Sequence, residues 1–412
     1  MSENYKTPYF LIDKESLDDG LNKLNDSLKV AWGNYIIGYS YKTNALPWVI
    51  NYFKQHRCYA EVVSADEYNL AKSIGVPKDF FIYNGIAKTK DTFIEAIKNH
   101  AIVNIDSEYE IDWLDELNNT DNLSSQNGKS ISYEVGIRVN FDLESRCPGH
   151  SQCAEDGGRF GFCYENGDLK RAIRRIEQKG VKLTGIHLHK SSKTRMPDVY
   201  KAIAEVAVEI GNTFDLELSY IDIGGGFFGG LETKPKFPEY FTIVAEILKK
   251  RFNPQKTTLI VEPGNALIAS PIDYYTTVLD IKKNSRNIFV VIDGSRTQID
   301  PLMTKKSYFY KILNNDKERS QESKRECKER QIICGFTCME HDRLFEINNQ
   351  EEIRPGDKIV FQKVGAYTMC LTPLFIKWFP DVYVKDNKTV IKIRDKWESR
   401  EFLGHDYNFF ME

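Results

Sequence analysis

The sequence predicts an α/β fold: a (β/α)8 TIM-like barrel followed by a C-terminal, mostly-β domain. Three observations carry this. A cycle of short apolar strand, polar turn and amphipathic helix repeats eight times from Tyr35 over roughly 230 residues, close to the usual barrel length of about 250. After Ser270 the rhythm gives way to alternating and β-branched runs separated by Gly, Pro and polar turns. Chemically active side chains also collect at the ends of the apolar runs, which become the C-terminal tips of barrel strands. The expected division is a barrel over 34–270 and a β-rich domain over 1–33 and 271–412.

In chain order, Tyr9–Ile12 reads as a short strand, and Ser16–Leu28 as a helix with Leu17, Leu21, Leu24 and Leu28 on one face. The barrel strands are expected at Tyr35–Tyr41, Cys58–Val63, Phe80–Tyr83, Ile102–Ile105, Tyr133–Val139, Leu183–Leu188, Tyr220–Ile223 and Leu259–Val261. An open, doubly wound sheet is the competing arrangement of the same elements. The second domain is expected to hold strands at Tyr274–Ile281, Ile288–Ile292, Gln331–Cys334, Asp357–Phe361 and Val382–Lys392. Asn118–Ser130 and Asn314–Arg330 are polar and read as mobile surface loops.

A net charge of −3 with interspersed signs offers no basic face for nucleic acid, so a small molecule is the expected partner. The first residues, Met1-Ser2-Glu3-Asn4-Tyr5-Lys6, have no basic-then-apolar pattern, and no segment has the unbroken apolar length of a membrane span. A cytoplasmic protein is expected. Eight cysteines in 412 residues are too sparse for a disulfide scaffold. Neither Cys147 with Cys153 nor Cys334 with Cys338 is backed by a second pair at zinc-site spacing, so free thiols are expected and no metal is assigned; a Cys147/Cys153 clip stays open.

The strand-end residues are Lys42, Glu61, His187, His189, Asp222 and Glu262. A lysine held at a barrel mouth can attack a carbonyl, although an isolated strand-end lysine is better explained by its stem covering apolar surface. Gly224-Gly225-Gly226 lies between a strand and the next helix, where backbone N–H groups can close around an anion at a helix N-terminus; a tight turn accounts for three glycines equally well. A lone Glu262 or His189 would read as a solvated turn carboxylate or a core histidine. Cys338 sits in a Cys-Gly-x-x-Cys segment that alone points to a redox or metal pair.

Taken in order, Tyr41-Lys42-Thr43-Asn44, His187-Leu188-His189-Lys190-Ser191-Ser192, Asp222-Ile223-Gly224-Gly225-Gly226, Glu262-Pro263-Gly264-Asn265, Cys338 with Asp342, and Gly365-Ala366-Tyr367-Thr368 resemble the fold-type III pyridoxal phosphate (PLP) decarboxylases, the family of diaminopimelate and ornithine decarboxylase. The resemblance runs from about Thr7 to Thr372. It implies the alanine racemase-like pairing of barrel and β domain, with PLP carried on Lys42. By the same resemblance Glu61 belongs to the cofactor site, His189 stacks on the ring, and Gly224, Gly225, Gly226, Ser192 and Tyr367 hold the phosphate. Glu262 would pair with the ring nitrogen and keep it protonated, which strengthens the ring as an electron sink. Alanine racemases place an arginine there, so Glu262 favours the decarboxylase branch. Cys338 would enter the neighbouring subunit's site and return a proton to Cα, which implies a homodimer with shared active sites.

The chain departs from the family where substrate is gripped. Diaminopimelate decarboxylases carry arginines where this chain has Asn265 and Asp300, and an acid where it has Met339. Asn and Asp cannot reproduce a bidentate arginine clamp. Glu340 and Asp300 are the residues that could contact a distal amine instead. Ser191 replaces a glycine, and Arg159 a lysine. The expected activity is PLP-dependent α-decarboxylation of an amino acid or conjugate other than meso-diaminopimelate. A racemase or epimerase on the same scaffold, and a non-catalytic PLP-binding homeostasis protein, are the alternatives.

Overall fold

The computed structural model describes residues 5–117, 132–315 and 324–404. The chain divides into two compact units, Gly20–Leu267 and Met1–Asp19 with Ile268–Glu412. Strand β1 (Tyr9–Asp13) leads into helix α1 (Lys14–Ala31), along which Leu17, Leu21, Leu24 and Leu28 are all buried, as their helical spacing requires.

The first unit then contributes β2 (Tyr35–Ser40), β3 (Tyr59–Ser64), β4 (Phe81–Ala87), β5 (Ile102–Ile105), β6 (Glu134–Asn140), a two-residue β7 (Phe162–Cys163) beside β6, β8 (Lys182–His187), β9 (Tyr220–Asp222) and β10 (Thr258–Val261). All pair in parallel. β5 meets β6 at Asn104 and Gly136, and β10 returns to β2 with Leu259 opposite Tyr35, so eight strands close on themselves. That closure excludes the open sheet.

The barrel is packed rather than hollow. Ile82, Tyr220 and Ile260 form an interior layer with Ile36, Tyr59 and Ile102 against them. Tyr220 is the largest piece, and two neighbours give way to it. A Cβ at Gly136 would lie 1.9 Å from the Tyr220 hydroxyl, and one at Gly185 would lie 2.1 Å from its ring. Outside, helices such as Asp168–Gln178 bury Leu169, Ala172, Ile173 and Ile176 and turn arginines outward. No helix among the described residues is long and apolar enough to cross a membrane.

The second unit is a nine-stranded sheet built from β1, β11 (Ile272–Lys283), β12 (Ile288–Ile292), β13 (Phe309–Leu313), β14 (Cys327–Cys334), β15 (Arg343–Glu351), β16 (Lys358–Gln362), β17 (Asp381–Asp386) and β18 (Thr389–Arg394). Four details differ from expectation. β13 and β15 were not foreseen, β14 starts four residues early, and the run Val382–Lys392 is a hairpin turned at Asn387, whose φ is +54°. The expected loop Asn118–Ser130 lies outside the described residues, as does 316–323 of the other. The end of that second stretch is ordered: Arg325 is buried in a two-pronged ion pair with Asp357, at 2.7 and 2.8 Å.

Candidate active site

Lys42 occupies a short 3-10 turn, Tyr41–Thr43, immediately past β2. Tyr39 donates its hydroxyl to the Asn44 carbonyl at 2.9 Å, and the Asn44 side chain accepts from the Leu46 N–H at 3.1 Å, so the turn leads directly into the helix Pro47–Gln55. Gly264 of the Glu-Pro-Gly turn must be glycine because a Cβ there would lie 2.0 Å from Thr43 Oγ1. The loops after β2 and β10 are thereby locked together. The Lys42 side chain is 41% exposed and its Nζ lies 3.5 Å from Glu61 Oε2, the carboxylate itself being buried.

Beneath these groups runs a polar chain that the sequence reading missed. Asn84 Nδ2 donates to Glu61 Oε1 at 3.1 Å and to Glu262 Oε1. Asn84 Oδ1 accepts from Asn104 at 2.8 Å, and Asn104 Oδ1 accepts from the Tyr220 hydroxyl at 2.8 Å. The two carboxylates need donors, which orients Asn84, then Asn104, then Tyr220 in sequence. An asparagine inside an otherwise apolar parallel strand, as in Phe81-Ile82-Tyr83-Asn84 and Ile102-Val103-Asn104, was the available signal.

His187, Asp222 and Glu262 are buried with ligand-type atoms all within 4.8 Å of one another. Burial alone would push the Glu262 carboxyl up, but His187, Lys42 and His189 together hold it well below the usual carboxylate range. Asp222 goes the other way: burial and the neighbouring Glu262 charge raise it well above its ordinary value. The two carboxyls are thus pushed in opposite directions, Glu262 toward the ionised form and Asp222 toward the protonated one. His187 Nε2 is 3.5 Å from Glu262 Oε2, a long contact, and among the described residues neither ring nitrogen nor Asp222 Oδ2 makes a hydrogen bond of good geometry. The trio has the spacing of a metal site as well as of an orphaned polar patch. A metal there would compete for Glu262 with any protonated ring nitrogen.

The glycine run does not open a helix. After β9 the chain stays irregular, and the next helix begins only at Phe237. Two of the three N–H groups have internal partners: Gly224 N donates to Asp222 Oδ1 at 2.8 Å, and Gly225 N to His189 Nδ1 at 3.2 Å. The expected helix N-terminus after the glycines is therefore corrected. The glycines let this loop press against His189 and the Glu262 backbone. Because Nδ1 of His189 accepts, its ring proton sits on Nε2. Burial, aided by the Lys42 charge, pushes its pKa down to about 3, so the ring is neutral.

Beside His189, the end of β6 supplies Arg138, a second residue the sequence reading did not single out. Arg138 pairs with buried Asp106 at 3.0 Å and lies 4.7 Å from the Phe160 ring centre. The Asp106 N–H donates at 2.8 Å to Glu110, itself in a fully buried pair with Lys88 at 3.0 Å, so the Arg138 carboxylate partner is braced from behind. Ser192 Oγ accepts from the N–H groups of Thr194 and Arg195 at 3.2 and 3.0 Å, which turns the loop after β8. Asn265 opens the short helix Asn265–Ile268.

In the other unit, Asp342 explains the spacing of the Cys-x-x-x-Asp pattern. Its buried carboxylate accepts from Ser295 Oγ (3.0 Å), Arg296 N (2.9 Å) and Thr337 Oγ1 (2.6 Å), which clamps the turn carrying exposed Cys338. Met339 is half-buried and Glu340 is exposed. Asp300 is buried with its carboxylate engaged by Arg296 (3.0 Å), Tyr308 (3.1 Å) and the N–H groups of Thr304 and Lys305 (both 3.1 Å). Its acceptor capacity is filled locally. Tyr367 has φ +56° and is 40% exposed.

The pyridoxal-binding domain of the pyridoxal-dependent decarboxylases matches residues 19–269. The chain is 23% identical over 381 residues to the diaminopimelate decarboxylase of Aquifex aeolicus, covering 90% of this chain and 84% of that protein. It is 24% identical to that of Methanocaldococcus jannaschii, covering 98% and 92%. The M. jannaschii crystal structure superposes with a TM-score of 0.82 at 21% identity, covering 98% of this chain and 93% of that one. The arginine decarboxylase of Paramecium bursaria Chlorella virus, bound to agmatine, superposes with 0.73 at 19% identity, covering 93% and 97%. With a lysine at the mouth of a closed parallel barrel, an ionised buried glutamate beneath it and a family match over most of the barrel unit, the chain belongs to the PLP-dependent decarboxylases.

Proposed function

We propose that this protein releases carbon dioxide from the α-carbon of an amino acid other than meso-diaminopimelate, using PLP carried on Lys42. The observation that carries the reading is Glu262, a fully buried carboxylate kept ionised on the side of the barrel mouth that Lys42 shares. Such a group fits a protonated pyridine nitrogen, which Glu262 would hold if the cofactor is bound. Bound PLP supplies the sink for the electrons left when the carboxylate departs.

The chain's residues have separate tasks. Lys42 offers the amine that attaches the cofactor, with Glu61 close enough to exchange a proton with it. Glu262 holds a proton at the ring nitrogen, supported by the Asn84 amide. Neutral His189 presents a flat, uncharged face, its ring fixed by Gly225. The glycine loop, Ser192 and Tyr367 are the proposed phosphate contacts. Cys338, held outward by the Asp342 clamp, is the proposed acid that returns a proton to Cα, reaching the site of a second copy in a homodimer. Cys58, Cys147, Cys153, Cys163, Cys327, Cys334 and Cys338 are free thiols, which supports a reducing, cytoplasmic setting.

Several relatives are diaminopimelate decarboxylases, one of them crystallised with L-lysine. Against that substrate here stands the absence of the arginine clamp: Asn265 and Asp300 occupy its positions, and Asp300 already serves Arg296. A second carboxylate without that clamp loses its hydration uncompensated. The test is carbon dioxide release from meso-diaminopimelate, lysine, ornithine, arginine and longer amino-acid conjugates side by side. The reading expects release from at least one and poor turnover of diaminopimelate. Efficient turnover of diaminopimelate would refute the exclusion, and release from none would refute the activity.

A further inference from the structure

We infer that the cavity between the ends of β6 and β8 is a subsite for an anionic side-chain terminus, so that the substrate is an amino acid with an acidic tail and no second ammonium beside it. This deepens the decarboxylase reading and rests on it. The cavity measures about 200 Å³, many times the roughly 15 Å³ a single water needs. Its lining includes Arg138, Arg159, Lys190, His189, Ser151 and Asp142. Three cations face one carboxylate.

That carboxylate offsets only part of their charge: it attracts Lys190, but one anion leaves the lining net positive. Asp142 accepts from the Ser145 N–H at 3.2 Å and from the Ser145 hydroxyl, capping the turn Leu143–Arg146. Arg138 has one acidic partner, Asp106, but its Nε is buried without a hydrogen bond, and its side chain is only 9% exposed. Arg159 has no acidic partner among the described residues. Its guanidinium lies 4.3 Å from the centre of the same Phe160 ring that Arg138 approaches at 4.7 Å. Two like charges are thus gathered on one aromatic side chain. Lys190 completes the group from the loop after β8, donating to Asn140 Oδ1 and standing 4.7 Å over Phe141. Burial lowers its pKa to about 8, so it still carries its charge at neutral pH, and an acidic guest would hold that charge in place. The wall opposite is zipped down by backbone pairing of Gln152 N with the Ser191 carbonyl at 3.1 Å and of Lys193 N with the His150 carbonyl at 3.0 Å, which keeps the cavity formed.

An anion relieves the crowded cations. A distal ammonium adds a charge of the wrong sign, which separates this site from one built for a diamine or a zwitterionic terminus. The matched probes are 2-aminopimelate, meso-diaminopimelate, which differs only by the distal ammonium, and 2-aminoheptanoate, which has neither distal charge. On the PLP-loaded protein, kcat/KM is expected to follow 2-aminopimelate > 2-aminoheptanoate > diaminopimelate. Replacing one charged donor should lower the ratio of 2-aminopimelate to 2-aminoheptanoate by about ten- to hundredfold in Lys190→Gln, and similarly in Arg159→Gln. Lys190→Glu should reverse the preference toward lysine. Binding of pimelate, a dicarboxylate that cannot be decarboxylated, is followed by calorimetry and should weaken in the same variants. If pimelate binding depends on Lys190 and Arg159 while no amino acid releases carbon dioxide, the subsite stands and the decarboxylase reading fails. If carbon dioxide is released but the acidic probe has no advantage, or the ratio is unmoved in both Gln variants, the subsite is overturned and the decarboxylase reading remains.

Discussion

Alanine substitutions along Gly224-Gly225-Gly226 separate packing from mere turn flexibility. At Gly224 the backbone φ is +70°, which costs a non-glycine residue about 1–2 kcal/mol. A Cβ there would also lie 2.5 Å from His189 Nδ1 and 2.6 Å from its Cβ, and overpacking of that kind adds about 1–3 kcal/mol. Gly224→Ala should therefore cost about 2–5 kcal/mol and push His189 out of place. Gly225 does not have a positive φ, yet a Cβ would lie 2.1 Å from the Glu262 carbonyl oxygen. Backbone cannot rotate away, so Gly225→Ala should cost about 3 kcal/mol and drag Glu262 with it. Gly226 has φ +97°, but the nearest obstacle is the Tyr200 hydroxyl at 3.0 Å, so Gly226→Ala carries the backbone term with a lighter clash. The assay is the urea midpoint of the cofactor-free variants, followed by PLP affinity from absorbance. Stability should fall most in Gly224→Ala and Gly225→Ala, and PLP affinity should fall with it. A Gly225→Ala protein with unchanged midpoint and unchanged PLP affinity would refute the account of why glycine stands there.

Three further outcomes are expected. Burial would raise the Asp357 carboxyl, but its hydrogen bonds from Arg325, Asn315 N and Arg354 N hold it below its ordinary value, so its contribution to stability is full above about pH 4 and is lost as pH falls through the lowered value. Asp357→Asn should cost about 3–5 kcal/mol at neutral pH and flatten the acid limb of the stability profile; an unchanged acid limb would remove this pair from the account. Lys42→Ala and Cys338→Ala should each be inactive, yet recover about a quarter of normal activity when mixed and allowed to exchange subunits, since each mixed dimer holds one intact site; proven exchange without recovery would rule out shared sites. Asn84→Leu should weaken PLP binding and raise the Glu262 pKa, read from the pH at which the bound cofactor's absorbance changes; an unmoved transition would deny the amide its supporting role.

How much of this was legible depended on burial. The eight barrel strands were all visible because parallel strands covered on both faces read as apolar runs. β13 and β15 were missed because they are solvated: Phe309 is 57% exposed, and most of Arg343–Glu351 faces water. Nor did Asn387-Lys388 carry the Asn-Gly signature that marks a two-residue hairpin turn, so β17 and β18 merged into one run. The strand-tip residues could be picked out by position, and the structure brings Lys42, Glu61 and Glu262 into one hydrogen-bonded group through Asn84. Asn84, Asn104 and Arg138 stayed hidden because their roles come from neighbours on other strands, which no local pattern encodes. The close packing of the glycine run was hidden for a related reason: the collisions that require glycine come from His189 and Glu262, distant in sequence.

The central claim is that Lys42 carries the cofactor, and reduction of the PLP-loaded protein with borohydride followed by peptide mass mapping tests it most directly. The account predicts a stable pyridoxyl group on the peptide containing Lys42 and none in Lys42→Ala. Modification of Lys190 or Lys193 instead, with Lys42 unlabelled, would contradict it.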